Sequence, residues 1–338
     1  MKKSFFLILI FVLFATPYFC SARENIFYMS QLREKEGIVS LQKNAEKIDI
    51  VAPQFYRVSA DMQLTGKLDE ELKKAIKQAQ EKNKKLEVMP LITNAKFNQN
   101  VMHKLLTSEK SQIEIIRALV AVAKKEKYIG WQYDFENISY LDRDLYSAFV
   151  EKTAKYFHKN NLIISVAAVS RYVDTEDTIA FKNWAGVFDY ARIANAVDFV
   201  SLMTYDDPES VGPVASLPYI KKVLSYVKGK IPSEKLSLGI PLYYWGWNAN
   251  TSKRVTSSGT YTRLSEILKN LDNDRGFDKN LGTPWVSYYS QNQEFKIWYQ
   301  DRMSFRDKLD IMNINDFRGF SAWVLGVEDP GIWNALGH

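Results

Sequence analysis

The sequence predicts an α/β fold, a (β/α)₈ TIM barrel with a small α+β insertion between its seventh and eighth strands. Eight short segments rich in apolar, β-branched or aromatic residues recur along the chain, and helical patterns of apolar residues separate them. Before the last segment, an interval from about Gly246 to Arg318 is longer than one helix needs. A doubly wound open sheet shows the same alternation and is the alternative architecture.

The predicted strands cover residues 26–29, 48–58, 86–92, 128–136, 162–170, 197–205, 236–244 and 319–325. Between them, stretches such as 68–85, 110–127 and 144–161 carry apolar residues at helical spacing, with charges on the other positions. The insertion is expected at about 247–300. Within it, WVSYY and FKIWY flank the polar sequence Ser-Gln-Asn-Gln and predict a β-hairpin.

The first 22 residues are typical of a secretory signal peptide. MKK precedes an apolar run from Phe5 to Phe19, and small residues follow up to Ala22. The run is short for a membrane span, which takes roughly 20 residues. Lipid attachment at Cys20 is the alternative, and the bulky Phe19 before it argues against this. We therefore expect cleavage near Ala22 and a secreted or periplasmic barrel, residues 23–338, that is a monomer without stable membrane insertion.

The composition excludes several classes of site. Removal of the signal peptide takes away the single cysteine and lowers the formal net charge of +6 by two, which gives no indication of nucleic-acid binding. His103, His158 and His338 are scattered, so neither a metal site nor a cofactor is expected. Nucleotide-binding glycine motifs are missing from the sequence. Aromatic residues make up 14% of the chain, and their rings stack well on sugars.

The candidate site begins in YIGWQYDFEN, residues 128–137. Gln132, Asp134 and Glu136 occupy every second position, so in a strand they share one face. Catalytic groups of barrels lie at the carboxyl ends of strands. The ends of the other predicted strands add further polar and aromatic side chains: Met203, Tyr205, Asp206, Tyr243 and Trp323.

Each of these residues also has a simpler explanation. Taken alone, the two acids fit a solvated strand end, and Tyr205 and Trp323 fit core aromatics. Trp245 and Trp247 fit either the wall of a sugar cleft or packing under the insertion.

Four segments in order resemble glycoside hydrolase family 18, the chitinase-like enzymes. GWQYDFE is similar to the D-x-x-D-x-D-x-E strand of that family, and LMTYD resembles its M-x-Y-D strand. KLSLGIPLYYWGW and RGFSAWVLGVEDPGIW resemble its seventh and last strands. The likeness is strongest to the bacterial cell-wall and spore-cortex N-acetylglucosaminidases. It implies a retaining hydrolase acting on β-1,4-linked N-acetylglucosamine polymers, with peptidoglycan preferred and chitin or its oligosaccharides second.

The resemblance assigns a role to each candidate. Glu136 matches the acid that protonates the glycosidic oxygen, and Asp134 matches the carboxylate that orients the N-acetyl group. That group, not a protein carboxylate, attacks the anomeric carbon. Tyr205 matches a phenol that binds the acetamido oxygen. The substrate-binding set then comprises Asp206, Trp323, Gln132, Met203, Tyr243 and Tyr28, with Trp323 as the floor under the sugar and Tyr28 below Asp134.

Two positions depart from the family motif. Ile129 stands where the motif begins with Asp, and Gln132 replaces its second Asp, which helps hold a proton shared with Asp134. Gln132 cannot ionise, so we expect an active enzyme with a shifted pH profile. A catalytically silent, lectin-like glycan-binding protein on the same barrel is the alternative. An envelope scaffold that binds no sugar would require Tyr205 and Trp323 to be inaccessible.

Overall fold

The computed structural model describes residues 23–248 and 257–336. The predicted signal peptide, residues 1–22, lies outside the described residues. Within those ranges the strands are β1 Glu24–Ser30, β2 Ile50–Val58, β3 Leu64–Thr65, β4 Glu87–Val88, β5 Leu91–Asn94, β6 Gly130–Tyr133, β7 Ile163–Val169, β8 Phe199–Met203, β9 Leu236–Pro241, β10 Tyr244–Asn248, β11 Ser257–Gly259, β12 Asn273–Asp278, β13 Thr283–Ser290, β14 Gln293–Trp298 and β15 Gly319–Trp323. The α-helices described are α1 Glu34–Asn44, α2 Glu70–Lys82, α3 Gln99–Thr107, α4 Glu109–Glu126, α5 Arg143–His158, α6 Tyr190–Ala196, α7 Leu217–Val227, α8 Tyr261–Asn270 and α9 Arg302–Ile314.

Parallel strands close into a barrel, as the sequence predicts. In the described part of the chain, eight strands pair in the cyclic order β1-β2-β5-β6-β7-β8-β9-β15, and β15 returns to β1. A helix follows each strand before the next, except that the insertion precedes α9 after β9. The pairs β1–β15 and β1–β2 exclude the open-sheet alternative. An open sheet has two edge strands with a neighbour on one side only, whereas here each of the eight strands has a neighbour on both sides.

The barrel forms because its strands are apolar and its helices are amphipathic. Leu72, Ala75, Ile76 and Ala79 of α2, for example, recur every three or four residues and are buried, while the lysines between them face solvent. Caps stop the helices at definite residues: Asp69 accepts a hydrogen bond from the backbone of Leu72 at the start of α2. No helix among the described residues is long and apolar enough to span a bilayer.

The insertion is a second, antiparallel sheet with the order β11-β10-β14-β13-β12, packed with α8. The hairpin β13–β14 turns at Gln291 and Asn292, both with positive φ, inside the predicted Ser-Gln-Asn-Gln segment. The sequence prediction placed Tyr244 at the end of the seventh barrel strand, and this boundary is wrong. Strand β9 ends at Pro241, and β10 pairs with β14 instead, so the Tyr244 ring lies in the core of the insertion.

Candidate active site

The alternation along β6 sorts its side chains into two environments. Trp131 and Tyr133 point outward into the helical layer, where Trp131 Nε1 donates to the Leu119 carbonyl of α4 and Tyr133 stacks on Phe149 of α5. Gln132 and Asp134 point inward and are 0% and 3% exposed. A solvated strand end therefore does not describe these polar groups, since both faces of the segment are enclosed by protein.

Asp134 is held by an amide from a strand two positions away in the barrel. Gln54 Nε2 on β2 donates to Asp134 Oδ2 at 2.9 Å. The Asp134 backbone is still paired with β5, because its N–H donates to the Ile92 carbonyl at 3.0 Å. Gln54 was not among the sequence candidates, and its only signal is that it is polar within the apolar strand Ile50–Val58.

Glu136 lies beyond the end of β6, and a side chain replaces the missing strand pairing. Asn94, buried at the end of β5, donates from Nδ2 to the Glu136 carbonyl at 2.9 Å and accepts the Glu136 N–H on Oδ1 at 3.1 Å. This pair of bonds fixes the backbone that carries the carboxyl group. Asn94 was also not predicted, although Asn at the end of a parallel strand is a weak signal for such a contact.

The two carboxyl groups are electrostatically coupled. Burial raises the pKa of Glu136 well above its ordinary value, and the negative charges of Asp134 and Asp206 raise it further. Burial also raises the pKa of Asp134, but hydrogen bonds from Gln54 and from Glu136 lower it. At neutral pH the pair therefore favours a protonated Glu136 that donates to an ionised Asp134. A carboxyl group that stays protonated at neutral pH is what general acid catalysis requires, and the neighbouring carboxylate helps to keep it so.

Gln132 and Tyr28 lie beneath this pair, not in the cleft. Gln132 Oε1 accepts from the Tyr28 hydroxyl at 2.7 Å, and Gln132 Nε2 donates to Ser165 and Ser201. Burial raises the pKa of Tyr28 to about 12, so the phenol stays neutral. The sequence prediction included both residues in the substrate-binding set. Gln132 is 0% and Tyr28 3% exposed, so we expect both to act by positioning the residues around them.

The upper rim of the barrel interior carries Tyr205, Asp206 and Tyr243. The Tyr205 ring lies in the groove beside Gly239 of β9, where a Cβ atom would approach ring atom Cε1 to 2.9 Å, so glycine leaves the space for the phenol. Within the described residues the Tyr205 hydroxyl has no hydrogen-bond partner and remains able to donate. The Tyr243 hydroxyl donates to Asp206 Oδ1, which holds that carboxylate at the mouth of the barrel.

Two cavities meet at Asp206. The cavity of about 400 Å³ that we call the Glu136 cavity is lined by Glu136, Met203, Tyr205, Asp206 and Trp184, among others. The Trp323 cavity, of about 460 Å³, is lined by Asp206, Tyr243, Trp245 and Trp323, among others. They share Asp206 and both lie at the carboxyl end of the barrel, and we refer to the two together as the cleft.

The two tryptophans left open by the sequence have different positions. Trp245 lines the Trp323 cavity, whereas Trp247 is buried and its Nε1 donates to the Gly212 carbonyl at 2.7 Å. His103 and His158 pair with Asp142 and Asp198. In residues 23–248 and 257–336, no group of three or more His, Cys, Asp or Glu side chains is arranged to hold a metal ion.

The chain matches one family model and is similar to several bacterial glycosylases. The family model described as "Glycosyl hydrolases family 18" matches residues 13–328. The uncharacterized glycosylase YvbX of Bacillus subtilis is 26% identical over 264 residues, which is 75% of this chain and 75% of that protein. The cortical fragment-lytic enzyme of Bacillus subtilis is 26% identical over 258 residues, 74% of this chain but 59% of that protein. The chain thus spans less than two thirds of the latter relative.

Solved structures share the fold at lower identity. A chitinase from Chromobacterium violaceum superimposes with a TM-score of 0.82 at 21% identity, covering 93% of this chain and 98% of that one. This likeness supports the barrel architecture alone, because the identity is too low to carry residue roles.

Proposed function

Because the chain belongs to glycosyl hydrolase family 18 and is a glycoside hydrolase, we propose that it cuts β-1,4 links on the reducing side of N-acetylglucosamine with retention of configuration. Peptidoglycan is the proposed first substrate, and chitin or chitooligosaccharides are the second. On the N-terminal sequence pattern, the proposed place of action is outside the cytoplasm, in the periplasm or beyond the cell.

The observation that carries this proposal is the coupled pair of carboxyl groups, of which Glu136 lines the Glu136 cavity and Asp134 is buried behind it. Glu136 lines the cleft, and its raised pKa keeps a proton available at neutral pH. Asp134 is 3% exposed and lies behind Glu136. One acid therefore faces the glycosidic oxygen while the other acts from the protein side.

In the proposed reaction the substrate supplies the nucleophile. Glu136 gives its proton to the glycosidic oxygen, the bond from that oxygen to the anomeric carbon breaks, and the acetamido carbonyl oxygen bonds to that carbon. Asp134 accepts a hydrogen bond from the acetamido N–H, and the unpaired Tyr205 hydroxyl donates to the acetamido oxygen. Water then attacks the anomeric carbon, the bond from that carbon to the acetamido oxygen breaks to restore the N-acetyl group, and the Glu136 carboxylate takes up a proton from the water.

The side of the cleft that holds each sugar follows from these roles. The N-acetylglucosamine that is attacked stacks on Trp323, with Trp245 at the next position along the same cavity. The leaving sugar then occupies the Glu136 cavity, next to Met203 and Trp184. The preference for peptidoglycan is supported by the name of the cortical fragment-lytic relative, and the second choice by the chitinase relatives.

The test compares the purified protein with Glu136→Gln on purified peptidoglycan and, separately, on chitohexaose, with products identified by mass spectrometry. Glu234→Gln is the matched control, because Glu234 precedes β9 at the opposite end of the barrel. Muropeptides ending in reducing N-acetylglucosamine, absent with Glu136→Gln alone, are the expected result. Cleavage restricted to chitohexaose would move the substrate to chitin. Sugar binding by both proteins without any product would overturn the proposal in favour of the lectin-like alternative.

A further inference from the structure

A third cavity extends the cleft on the side of the leaving sugar. This side cavity has a volume of about 260 Å³ and shares Ser170, Ala180, Ala185, Pro208 and Tyr219 with the Glu136 cavity. It has no lining residue in common with the Trp323 cavity. A group that enters it must therefore be attached to the part of the substrate that departs, and not to the sugar on Trp323.

The lining of the side cavity is poorly suited to another sugar ring. Stacking needs an open aromatic face, but Phe181 and Tyr219 are buried to 4% exposure. The remaining aromatic, Tyr172, has Lys222 Nζ over its ring at 5.3 Å and meets the Tyr219 ring edge-on. The Trp323 and Glu136 cavities, in contrast, each present a partly exposed tryptophan, Trp323 and Trp184.

The same lining offers what a peptide needs. It follows the loop after β7, and within the described residues the backbone N–H groups of the lining residues Tyr172 and Val173 have no hydrogen-bond partner. Extended peptides bind by pairing with such free backbone groups. Charges of both signs lie beside them. The Arg171 guanidinium is fixed by the Ala185 and Phe188 carbonyls and pairs with Asp174 Oδ1 at 2.8 Å, and the Glu209 carboxylate accepts from the Tyr172 hydroxyl.

We propose that the side cavity binds the peptide attached to the lactyl group of the leaving muramyl sugar, so that this chain distinguishes peptide-bearing from bare glycan. The inference rests on the proposed function, because cleavage after N-acetylglucosamine in peptidoglycan places a muramyl residue in the Glu136 cavity. A linear polymer without side groups would leave the side cavity empty.

The test uses one peptidoglycan preparation in two forms, intact and stripped of its peptides by an amidase, with chitohexaose as a third substrate. Val173→Trp fills the side cavity without changing a residue of the Glu136 cavity. Because Val173 is 50% exposed, the larger side chain does not have to be accommodated in the hydrophobic core. Thr175→Trp is a second variant at the same cavity. Val39→Trp, on the outer helix α1 and 65% exposed, is the matched control.

We expect Val173→Trp and Thr175→Trp to lower kcat/KM on intact peptidoglycan by about 10- to 200-fold, the range for a blocked specificity contact. The same variants should stay within about twofold of the wild type on stripped glycan and on chitohexaose, and Val39→Trp within about twofold on all three. An equal loss on stripped and intact forms would show that the cavity holds a sugar and would overturn the inference. An unchanged rate on intact peptidoglycan would also overturn it, while the proposed hydrolase would stand. If the wild type cuts none of the three substrates, the proposed function itself fails.

Discussion

Replacing Gln54 by Leu should move the acidic limb of the pH–activity profile upward. The substitution keeps the approximate volume but removes the Nε2–H donor that lies 2.9 Å from Asp134 Oδ2. That donor stabilises the ionised form of Asp134, and its loss leaves Glu136 as the remaining hydrogen-bond donor that lowers the pKa of this buried carboxylate. The pKa of Asp134 must then rise, because the neutral form loses less than the charged form.

The size of the effect follows from the charge on the acceptor. Hydrogen bonds to charged groups contribute about 1.5–3 kcal/mol, and about 1.4 kcal/mol corresponds to one pH unit. We therefore expect the lower limb of the kcat/KM profile to rise by about one to two pH units. Since the two acids share their protons, this limb belongs to the pair and not to Asp134 alone. The acidic limb must move to higher pH, because Asp134 has to be ionised to orient the substrate and a raised pKa protonates it at a higher pH.

The assay is kcat/KM on chitohexaose or peptidoglycan, whichever the wild type cuts, measured across the pH range for wild type, Gln54→Leu and the control Gln63→Leu. Gln63 is exposed, and its side-chain amide makes no hydrogen bond within the described residues. Thermal unfolding of all three proteins excludes a loss of fold as the cause. An unchanged acidic limb in a folded Gln54→Leu protein would refute the assignment of Gln54 as the group that holds Asp134 ionised.

Three further predictions concern the same site. Glu136→Gln should unfold at a higher temperature than the wild type at alkaline pH. Because the pKa of Glu136 is raised in the folded state, the contribution of its protonated form to stability is fully present below its unfolded-state pKa and is lost as the pH rises through its folded-state pKa, whereas an amide does not titrate. A difference in melting temperature that is the same at all pH values would contradict this. Asn94→Ala should lower kcat by about 100-fold with little change in KM, because it loosens the backbone of the acid and not the sugar contacts. Steady-state kinetics with the exposed Asn100→Ala as control would show it, and a pure KM effect would argue against it. Gln132→Leu should lower the free energy of unfolding by about 1–3 kcal/mol for each buried polar group that it leaves without a hydrogen-bond partner. Denaturant titration measures this, and an unchanged free energy of unfolding would mean that the interior rearranges.

The barrel and the core of its site could be predicted from the sequence because both depend on local patterns. Helical and strand periodicity defined the alternating elements, and the carboxyl ends of parallel strands meet at one edge. In the structure Glu136, Tyr205 and Asp206 line one cavity, and Asp134 is buried behind Glu136.

What the sequence could not provide is the identity of neighbours across the barrel. Gln54 reaches Asp134 only because β2, β5 and β6 are consecutive in the sheet, and Asn94 reaches Glu136 because β5 ends level with it. The resemblance suggested that Gln132 would replace a proton-sharing acid. In the structure the amide beside Asp134 is Gln54, and Gln132 belongs to a layer of hydroxyl groups set by the register of β7, β8, β9 and β15.

That layer is a continuous row of buried hydrogen bonds. Gln132 Nε2 can only donate, so Ser201 Oγ accepts from it at 2.9 Å, and Ser201 Oγ shares a further hydrogen bond of 2.8 Å with Ser321 Oγ, in which either hydroxyl can donate. Ser321 in turn lies 2.5 Å from Ser237 Oγ, which ends the series on β9. Each hydroxyl in the row therefore has a partner inside the barrel, although no water reaches it. The floor beneath the catalytic carboxyl groups is polar and yet satisfied, so burying these serines costs the barrel little stability.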